Sequence, residues 1–397
     1  MSIKICKREL IRIIVFEIVI FQSILEQYFQ IFSYADEIFS LVIFVIGFYY
    51  FIKCSNGKVE RQFLLFWLCL LLYNFWGWLS SYYCSYRSIY ISSVSQFLAN
   101  EFFLILFGVW SILSYGSLNI EDIITPAVKK IARCDIVVLL VWQAIAMYTK
   151  IIPVAGDNEL CADLIFCLSV CLISWKGKRD YIYLIFVFGA LLCNTSMKAY
   201  GSIALILIVY VWCFKRRKKL KIRNLTVMVL ALMVLGWGEV KYYLIEGIAN
   251  SAPRAMLMKY GLDVALNVFP FGTGWGTFGS HYAAKIYSPV YIALGWKNHF
   301  TVGEDKYYFL NDIFWPTVYT ETGLIGFVFF MLAMILLYFL ISRVYSIDYR
   351  KYAIGLLIMG YLFLASFTST SFAHPSTAIL AMMLGLVISR SSNTNYE

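Results

Sequence analysis

The chain has 397 residues, of which 61% are hydrophobic and only 14% are charged, and its formal net charge is +10. A soluble domain has about a quarter charged residues, so this composition excludes an ordinary soluble enzyme and a disordered protein. The 10 cysteines follow no framework spacing, which excludes a disulfide scaffold and a zinc motif.

Apolar segments follow one another along most of the chain. Most are long enough to cross a hydrocarbon core of about 30 Å at about 1.5 Å per helical residue. We predict an all-α, polytopic integral membrane protein, a single membrane domain over residues 1–397, with about twelve transmembrane helices. The predicted segments are 10–30, 37–53, 62–80, 92–115, 134–150, 160–175, 181–194, 199–214, 225–244, 315–341, 352–370 and 374–389.

The basic residues indicate how these segments are oriented. If the N-terminus is cytoplasmic, most of the 33 Lys and Arg residues fall in inner loops, as the positive-inside rule requires. The densest run, KRRKKLKIR at 215–223, lacks the interleaved aromatic residues typical of nucleic-acid binding. We interpret it as an anchor beside anionic lipid. The pattern therefore predicts a multi-pass protein with cytoplasmic N- and C-termini and no nucleic-acid partner.

One predicted outer loop, residues 245–312, is far longer than the usual connection of about 4–6 residues. Its many aromatic residues argue against disorder, and we expect short helices lying on the outer membrane face. The loop contains FPFGTGWGTFGSHY at 269–282. These glycines could supply positive φ in a tight turn or let the backbone close on a phosphate. The run lacks the Lys and Ser/Thr of a nucleotide-binding P-loop, and by itself it favours the turn.

Five motifs on this outer face occur in an order that resembles the O-antigen and capsular polysaccharide polymerase family, the Wzy-type proteins, which are related to the O-antigen ligases. In the ligase branch, a His-Asn pair precedes a Gly-x-x-Gly sequence. Counting back from Gly323 and Gly326 puts Asp312 at the histidine position, which favours a polymerase over a ligase. The motifs are TSMKAYG (195–201), PRAMLMKYGL (253–262), FPFGTGWGTFGSHYA (269–283), YSPVY (287–291) and NDIFWPTVYTETGLIG (311–326).

The resemblance implies a GT-C-like glycosyltransferase in the bacterial cytoplasmic (inner) membrane. Such a protein joins oligosaccharide repeat units carried on polyprenyl diphosphate, at the outer face, by metal-independent inverting transfer without a cofactor. The implied partners are the lipid-linked oligosaccharide, membrane lipid, a chain-length regulator and a flippase. Two alternatives stay open: an O-antigen ligase, and a flippase or transporter of lipid-linked sugars.

The implied chemistry selects candidate catalytic residues. Lys198 and Arg254 are basic residues retained on the outer side, where they can stabilise a departing diphosphate. Asp312 is the candidate general base for the acceptor hydroxyl, although an Asp shortly before a helix can instead serve as its N-cap. His281 could act as a base or bind the acceptor.

Further residues are candidates for substrate binding. Glu321 lies nine residues after Asp312, about 180° around a straight helix, so the two cannot face one site unless the helix starts later. We expect Glu321 to be structural first. The three histidines fit no ligand spacing, so we predict no metal site. The substrate-binding candidates are Tyr287, Tyr291, Trp275 and Tyr282, whose rings could stack on sugars or belong to an interfacial belt, with Glu321, Gly274 and Gly276.

Overall fold

The computed structural model describes residues 34–55, 57–83, 100–116, 118, 120–149, 157–175, 177, 180–194, 196–220, 241 and 246–389, with single positions between 13 and 25. These residues form helices, turns and loops, and no strand occurs among them. Five helices are long and apolar enough to cross a membrane: Ala35–Cys54, Arg61–Tyr83, Pro126–Tyr148, Lys198–Lys215 and Gly323–Val344. The prediction of an all-α protein with several candidate membrane spans is therefore confirmed.

The helices follow the chain in a regular order. A π-helix at Tyr210–Lys215 extends the helix Met197–Val209, and 3-10 turns occur at Glu304–Phe309, Ser371–Ala373 and Pro375–Thr377. The helices are α1 (Ala35–Cys54), α2 (Arg61–Tyr83), α3 (Glu101–Tyr115), α4 (Pro126–Thr149), α5 (Asp157–Ile173), α6 (Tyr181–Cys193), α7 (Met197–Val209), α8 (Pro253–Asn267), α9 (His281–Lys285), α10 (Pro289–Ala293), α11 (Trp315–Glu321), α12 (Gly323–Val344), α13 (Tyr349–Ala365) and α14 (Ala378–Ile388), with a four-residue helical turn at Ile120–Ile123.

Each predicted segment within the described residues overlaps at least one helix, although the bounds differ. The predicted segments 10–30 and 225–244 lie almost entirely outside the described residues, as does the first part of 92–115. The largest boundary error is at α4, which begins at Pro126 rather than at residue 134. The hydropathy pattern missed this start because the first two turns carry Lys129, Lys130 and Arg133.

The predicted continuous segment 315–341 is wrong, because the structure divides it into α11 and α12. Gly323 has a φ of +66°, a left-handed conformation that an L side chain rarely adopts. A Cβ at this position would also lie 2.7 Å from the backbone nitrogen of Gly272 in the glycine-rich loop. The break therefore makes room for the loop and separates α11 from the candidate membrane span.

Apolar side chains on the surface of α1 indicate a face suited to lipid. Ile38, Leu41, Val45, Phe48 and Ile52 recur at helical spacing and are 46–64% exposed. A soluble protein rarely leaves so long an apolar stripe in water. The opposite side of α1 packs on α3 so closely that a Cβ on Gly47 would lie 2.4 Å from the Cα of Gly108. Small residues allow this kind of close contact between membrane helices.

Helix α2 has polar contacts to other parts of the chain at both of its ends. Just before α2 begins, Glu60 pairs with Arg343 at the end of α12. Near the other end, Ser81 Oγ accepts a hydrogen bond from the backbone N–H of Trp275 in the glycine-rich loop, at 2.8 Å. The predicted topology would place the Glu60–Arg343 pair on the inner side and the glycine-rich loop on the outer side. Of the candidate site residues, all but Lys198 and Glu321 lie within the long loop.

The long loop has its own hydrophobic core. Helices α8, α9 and α10 and a 3-10 turn lie within it, as the sequence predicts, although their place at a membrane surface stays a prediction. Two of the aromatic candidates, Tyr287 and Tyr291, belong to this core. Its buried residues are Met256, Leu257, Val264, Phe278, Ala283, Ala284, Tyr287, Val290, Tyr291, Trp296, Val302, Leu310 and Ile313.

Candidate functional site

Three of the charged residues selected from the sequence meet in the structure. The Arg254 guanidinium Nη2 lies 3.5 Å from Asp312 Oδ2. Lys198 is close enough to Asp312 for its positive charge to act on the carboxyl group. Arg254 lies in α8, Asp312 in the loop before α11, and Lys198 in α7. These three elements lie far apart in sequence. The fold thus gathers two cations and one carboxylate into a cluster, which we call the charged cluster.

Both cations occupy the first turn of a helix. Arg254 follows Pro253, the first residue of α8, and Lys198 is the second residue of α7, whose N-cap Ser196 accepts a hydrogen bond from the N–H of Ala199. The positive end of a helix dipole favours acidic rather than basic residues at this position. Two basic side chains added to two helix N-termini concentrate positive charge, which suits the recognition of an anion.

Lys198 does not extend into a lipid headgroup layer, because it is buried with only 9% of its surface exposed. The structure therefore favours a place in the cluster over the alternative of snorkelling at the membrane surface.

The proposed N-cap role of Asp312 is wrong. The N-cap of α11 is Phe314, and no side chain caps that helix. Because α11 starts at Trp315, Asp312 lies in the loop, and its side chain is 36% exposed. Burial raises the pKa of the Asp312 carboxyl, while Arg254 and Lys198 oppose the rise. A carboxylate with a raised pKa is a stronger base than a free aspartate, provided that it is deprotonated.

His374 and Glu159 also adjoin the cluster, and the sequence reasoning did not select either as a site residue. His374 Nε2 lies 3.6 Å from Glu159 Oε1, and Lys198 is close enough to His374 to interact with it electrostatically. His374 Nδ1 lies 2.8 Å from Ser376 Oγ. The signal available in the sequence was weak: a histidine and an acid, each at the predicted outer end of an apolar segment.

His281 contacts Asn311, the residue that precedes Asp312 of the charged cluster. Its Nδ1 is 3.4 Å from Asn311 Nδ2, and Asn311 immediately precedes Asp312. Partial burial and the nearby Lys285 lower the pKa of His281, so the neutral imidazole is favoured at physiological pH. Its catalytic role stays a prediction.

The glycine-rich loop forms the predicted turn. Gly274, Gly276 and Gly279 have φ values of +92°, +70° and +74°. A Cβ on Gly274 would lie 2.5 Å from the Cα of Ser81. Both observations explain why the turn requires glycine at these positions.

The group that this loop surrounds is a carboxyl side chain of the protein itself. Glu321 is fully buried, and its Oε1 accepts hydrogen bonds from Thr277 N at 2.8 Å, Phe278 N at 2.9 Å and Ser280 Oγ at 2.8 Å. Burial raises the pKa of Glu321 to about 8, although these donors oppose the rise. In this conformation the loop is therefore closed on a carboxyl group rather than open to a phosphate.

Three of the four aromatic candidates are buried inside the protein. Trp275 packs on Tyr73 and donates through Nε1 to the Asn74 carbonyl at 3.3 Å. Tyr291 OH accepts from Gly279 N at 2.8 Å, and Tyr287 OH donates to a backbone carbonyl. Each is at most 5% exposed, so the structure favours core packing for these rings over stacking on sugars. Tyr282 is half-buried, and its role stays a prediction.

One group of carboxylates among the described residues has the spacing of a metal site. Ligand atoms of Asp36, Glu37 and Glu101 lie within 4.8 Å of one another. Asp36 is buried, and Glu37 and Glu101 are partly buried. The absence of a metal site stays a prediction.

A scan against protein-family models and a search of the curated proteins found no match to this chain. The class that the fold defines is an all-helical protein with several helices capable of crossing a membrane, as in a multi-pass membrane protein. Its candidate site is the charged cluster, supported by the long loop.

Proposed function

We propose that the protein is a polysaccharide polymerase that joins oligosaccharide repeat units carried on polyprenyl diphosphate, as O-antigen or capsule polymerases do. The observation that carries the proposal is the charged cluster, in which Arg254 pairs with Asp312 and Lys198 acts electrostatically on the same carboxyl group. Each of these residues belongs to a motif of the resemblance. Their proximity supports the idea that the motifs form one site.

The two cations suit the departing lipid diphosphate. When the bond between the donor sugar and the diphosphate breaks, negative charge builds up on the leaving oxygen. Fixed cations that already face this position stabilise the transition state. An arginine guanidinium can bind two phosphate oxygens at once, and a lysine adds a compact point charge.

Asp312 suits the acceptor side of the reaction. A hydroxyl of the incoming repeat unit attacks the anomeric carbon of the growing chain, and the bond to the diphosphate breaks. The hydroxyl proton passes to the Asp312 carboxylate, and polyprenyl diphosphate leaves with the bonding electron pair. Attack opposite to the leaving group inverts the anomeric configuration. This sequence of steps requires no metal and no covalent intermediate.

The proposal includes the location of the site. We place the charged cluster on the outer face of the bacterial cytoplasmic membrane, in a GT-C-like arrangement of about twelve spans with both termini in the cytoplasm. The basic run at 215–223 would then face the cytoplasm and anionic lipid. A flippase would supply the lipid-linked units from the inner face, and a chain-length regulator would set the product size.

This orientation predicts the labelling of two exposed lysine positions. Cysteine at Lys297, in the long loop, should react with a membrane-impermeant maleimide added to intact cells or spheroplasts. Cysteine at Lys218 should react only after the membrane is permeabilised. Both side chains are exposed in the structure, so burial would not mask either result. Labelling of both positions from the same side would contradict the topology.

The function is tested by deletion of the gene in its native host. We expect surface polysaccharide on a gel to change from a long ladder to single repeat units on the terminal acceptor. The wild-type gene should restore the ladder. Accumulation of lipid-linked polymer that is not transferred would instead indicate a ligase.

One observation keeps a transporter as the second candidate. Asp135 in α4 and Asp163 in α5 are at most 5% exposed, and each has an oxygen without a hydrogen-bond partner among the described residues. Ionisable groups inside candidate membrane helices often mark a transport pathway. In the deletion strain, repeat units trapped on the cytoplasmic face would establish transport and contradict the polymerase.

A further inference from the structure

We propose that Glu321 is a positioning residue of this site, which holds Arg254 and Asp312 in register by closing the glycine-rich loop. The inference rests on the proposed function, since it assigns a role to Glu321 within that site. It makes specific the structural role expected first from the sequence, and it differs from the alternative of substrate binding, because Glu321 is fully buried and bonded within the protein.

Glu321 holds the glycine-rich loop by hydrogen bonds. A single oxygen, Oε1, accepts from two backbone N–H groups and from Ser280 Oγ. The other oxygen, Oε2, is buried and has no hydrogen-bond partner among the described residues. The loop therefore uses one acceptor atom of Glu321. Removal of that atom would leave three buried donors unpaired, which is costly.

The glycine-rich loop is also attached to α11 and α2. Thr273 N donates to the carbonyl of Thr320 at 2.8 Å, and Gly274 N donates to the carbonyl of Glu321 at 2.9 Å. On the other side, Gly272 N donates to Ser80 Oγ at 3.1 Å. The loop thus links the C-terminal end of α11 to the end of a candidate membrane helix. Glu321 fixes the part of the loop that follows these contacts.

Helix α11 is in turn connected to Arg254 and Asp312. Tyr319 OH donates to the Met258 carbonyl at 2.8 Å, and Thr320 Oγ1 donates to the Gly261 carbonyl at 2.9 Å. These bonds fix α11 against α8, the helix that begins with Arg254. Asp312 lies three residues before α11. A shift of α11 would therefore change the separation of Arg254 and Asp312, and small displacements of reacting groups reduce rates strongly.

The test compares two substitutions of Glu321. Glu321→Gln keeps an acceptor oxygen and the size of the side chain, whereas Glu321→Ala removes the acceptor. We expect Glu321→Ala to reduce polymer formation about 100-fold, the scale of a displacement of about 1 Å at a reacting centre. Glu321→Gln should restore most of the activity, because the loop needs the acceptor and not the charge. Glu304→Ala is the control, since Glu304 is an exposed acid of the long loop.

A second readout reports on the loop without reference to activity. Ala283 follows the loop in α9 and is fully buried. We expect the variant Ala283→Cys to be protected from maleimide when Glu321 is present or replaced by Gln. With Glu321→Ala the labelling rate should rise about tenfold or more, because local opening exposes the position. Mass spectrometry of the labelled peptide separates this thiol from the 10 native cysteines.

The outcomes separate the two proposals. Unchanged labelling of Ala283→Cys in Glu321→Ala would overturn the positioning role. Loss of polymer in Glu321→Gln with a protected Ala283→Cys would also overturn it, since the charge would then act directly in the reaction. If the wild-type protein makes no polymer at all, the proposed function fails. The labelling result still decides whether Glu321 closes the loop.

Discussion

Replacement of Arg254 by alanine is expected to abolish polymer formation while the protein still inserts into the membrane. The Arg254 side chain is 24% exposed and lies in the first turn of α8, at the end of the helix, where its loss leaves the rest of α8 in place. It does remove a fixed cation from the position where we propose that diphosphate charge develops. Loss of one group of this kind costs about 10²- to 10³-fold in rate. The polymer ladder and the amount of inserted protein are measured in the same membranes.

Two further variants sharpen this prediction. Arg254→Lys keeps the charge but cannot bind two oxygens with a planar fork, so we expect an activity between those of alanine and the wild type. Lys259→Ala is the matched control, because Lys259 is an exposed basic residue of the same helix. A normal ladder in Arg254→Ala would remove Arg254 from the site. An equal loss in Lys259→Ala would show that the effect comes from the overall charge of α8.

The two cations of the charged cluster could be selected from the sequence because charge obeys a simple rule in membrane proteins. Lys198 and Arg254 stand out as basic residues retained on the predicted outer side, against the positive-inside bias. Asp312 stands out only through its place in a motif. The sequence could not predict that the three residues meet, because α7, α8 and the loop before α11 are separated by long stretches of chain. Only tertiary packing brings such positions together.

The role of Glu321 was predicted only in part. A straight helix from residue 315 would turn Glu321 away from Asp312, and a structural role followed from that geometry. The left-handed Gly323 ends α11 early instead, and the loop closes on the Glu321 side chain. The polar residues Thr320, Glu321 and Thr322 before Gly323 carried a signal of this break, because glycine is common just after a helix end. The long apolar run that follows Gly323 obscured that signal in the hydropathy pattern.

For three aromatic candidates, the sequence indicated a binding or interfacial role, whereas the structure places their rings in the interior. Tyr287, Tyr291 and Trp275 were selected because aromatic residues on an outer loop suit sugars or a membrane interface. Tyr287 and Tyr291 instead belong to the small core of the long loop, and Trp275 packs on Tyr73 of α2 in the main core. A loop of this length needs a core of its own in order to hold a fixed shape. Composition alone cannot distinguish an aromatic ring that binds a ligand from one that packs beneath the site.

Replacement of Asp312 by asparagine is expected to reduce polymer formation about 10²- to 10⁴-fold, the usual contribution of a general base. Asparagine keeps the size of the side chain and a contact to Arg254, but it cannot accept the hydroxyl proton. Asp305→Asn is the matched control, because Asp305 is a strongly exposed acid of the same loop. A normal ladder in Asp312→Asn, with Arg254→Ala inactive, would restrict Asp312 to holding the guanidinium.

The pH dependence of wild-type activity provides an independent test of the same residue. Only the deprotonated carboxylate can take the proton, so activity should fall as the pH is lowered through the pKa of Asp312. Because burial raises this pKa, the fall should begin at a higher pH than it would for a free aspartate. The residual activity of Asp312→Asn should lack this fall in activity at low pH.

If Arg254→Ala retains measurable activity, its acid limb should shift to higher pH, because the cation that lowers the Asp312 pKa is gone. An acid limb that persists unchanged in Asp312→Asn would assign the proton transfer to another group, and the His374–Glu159 pair beside Lys198 is then the next to substitute.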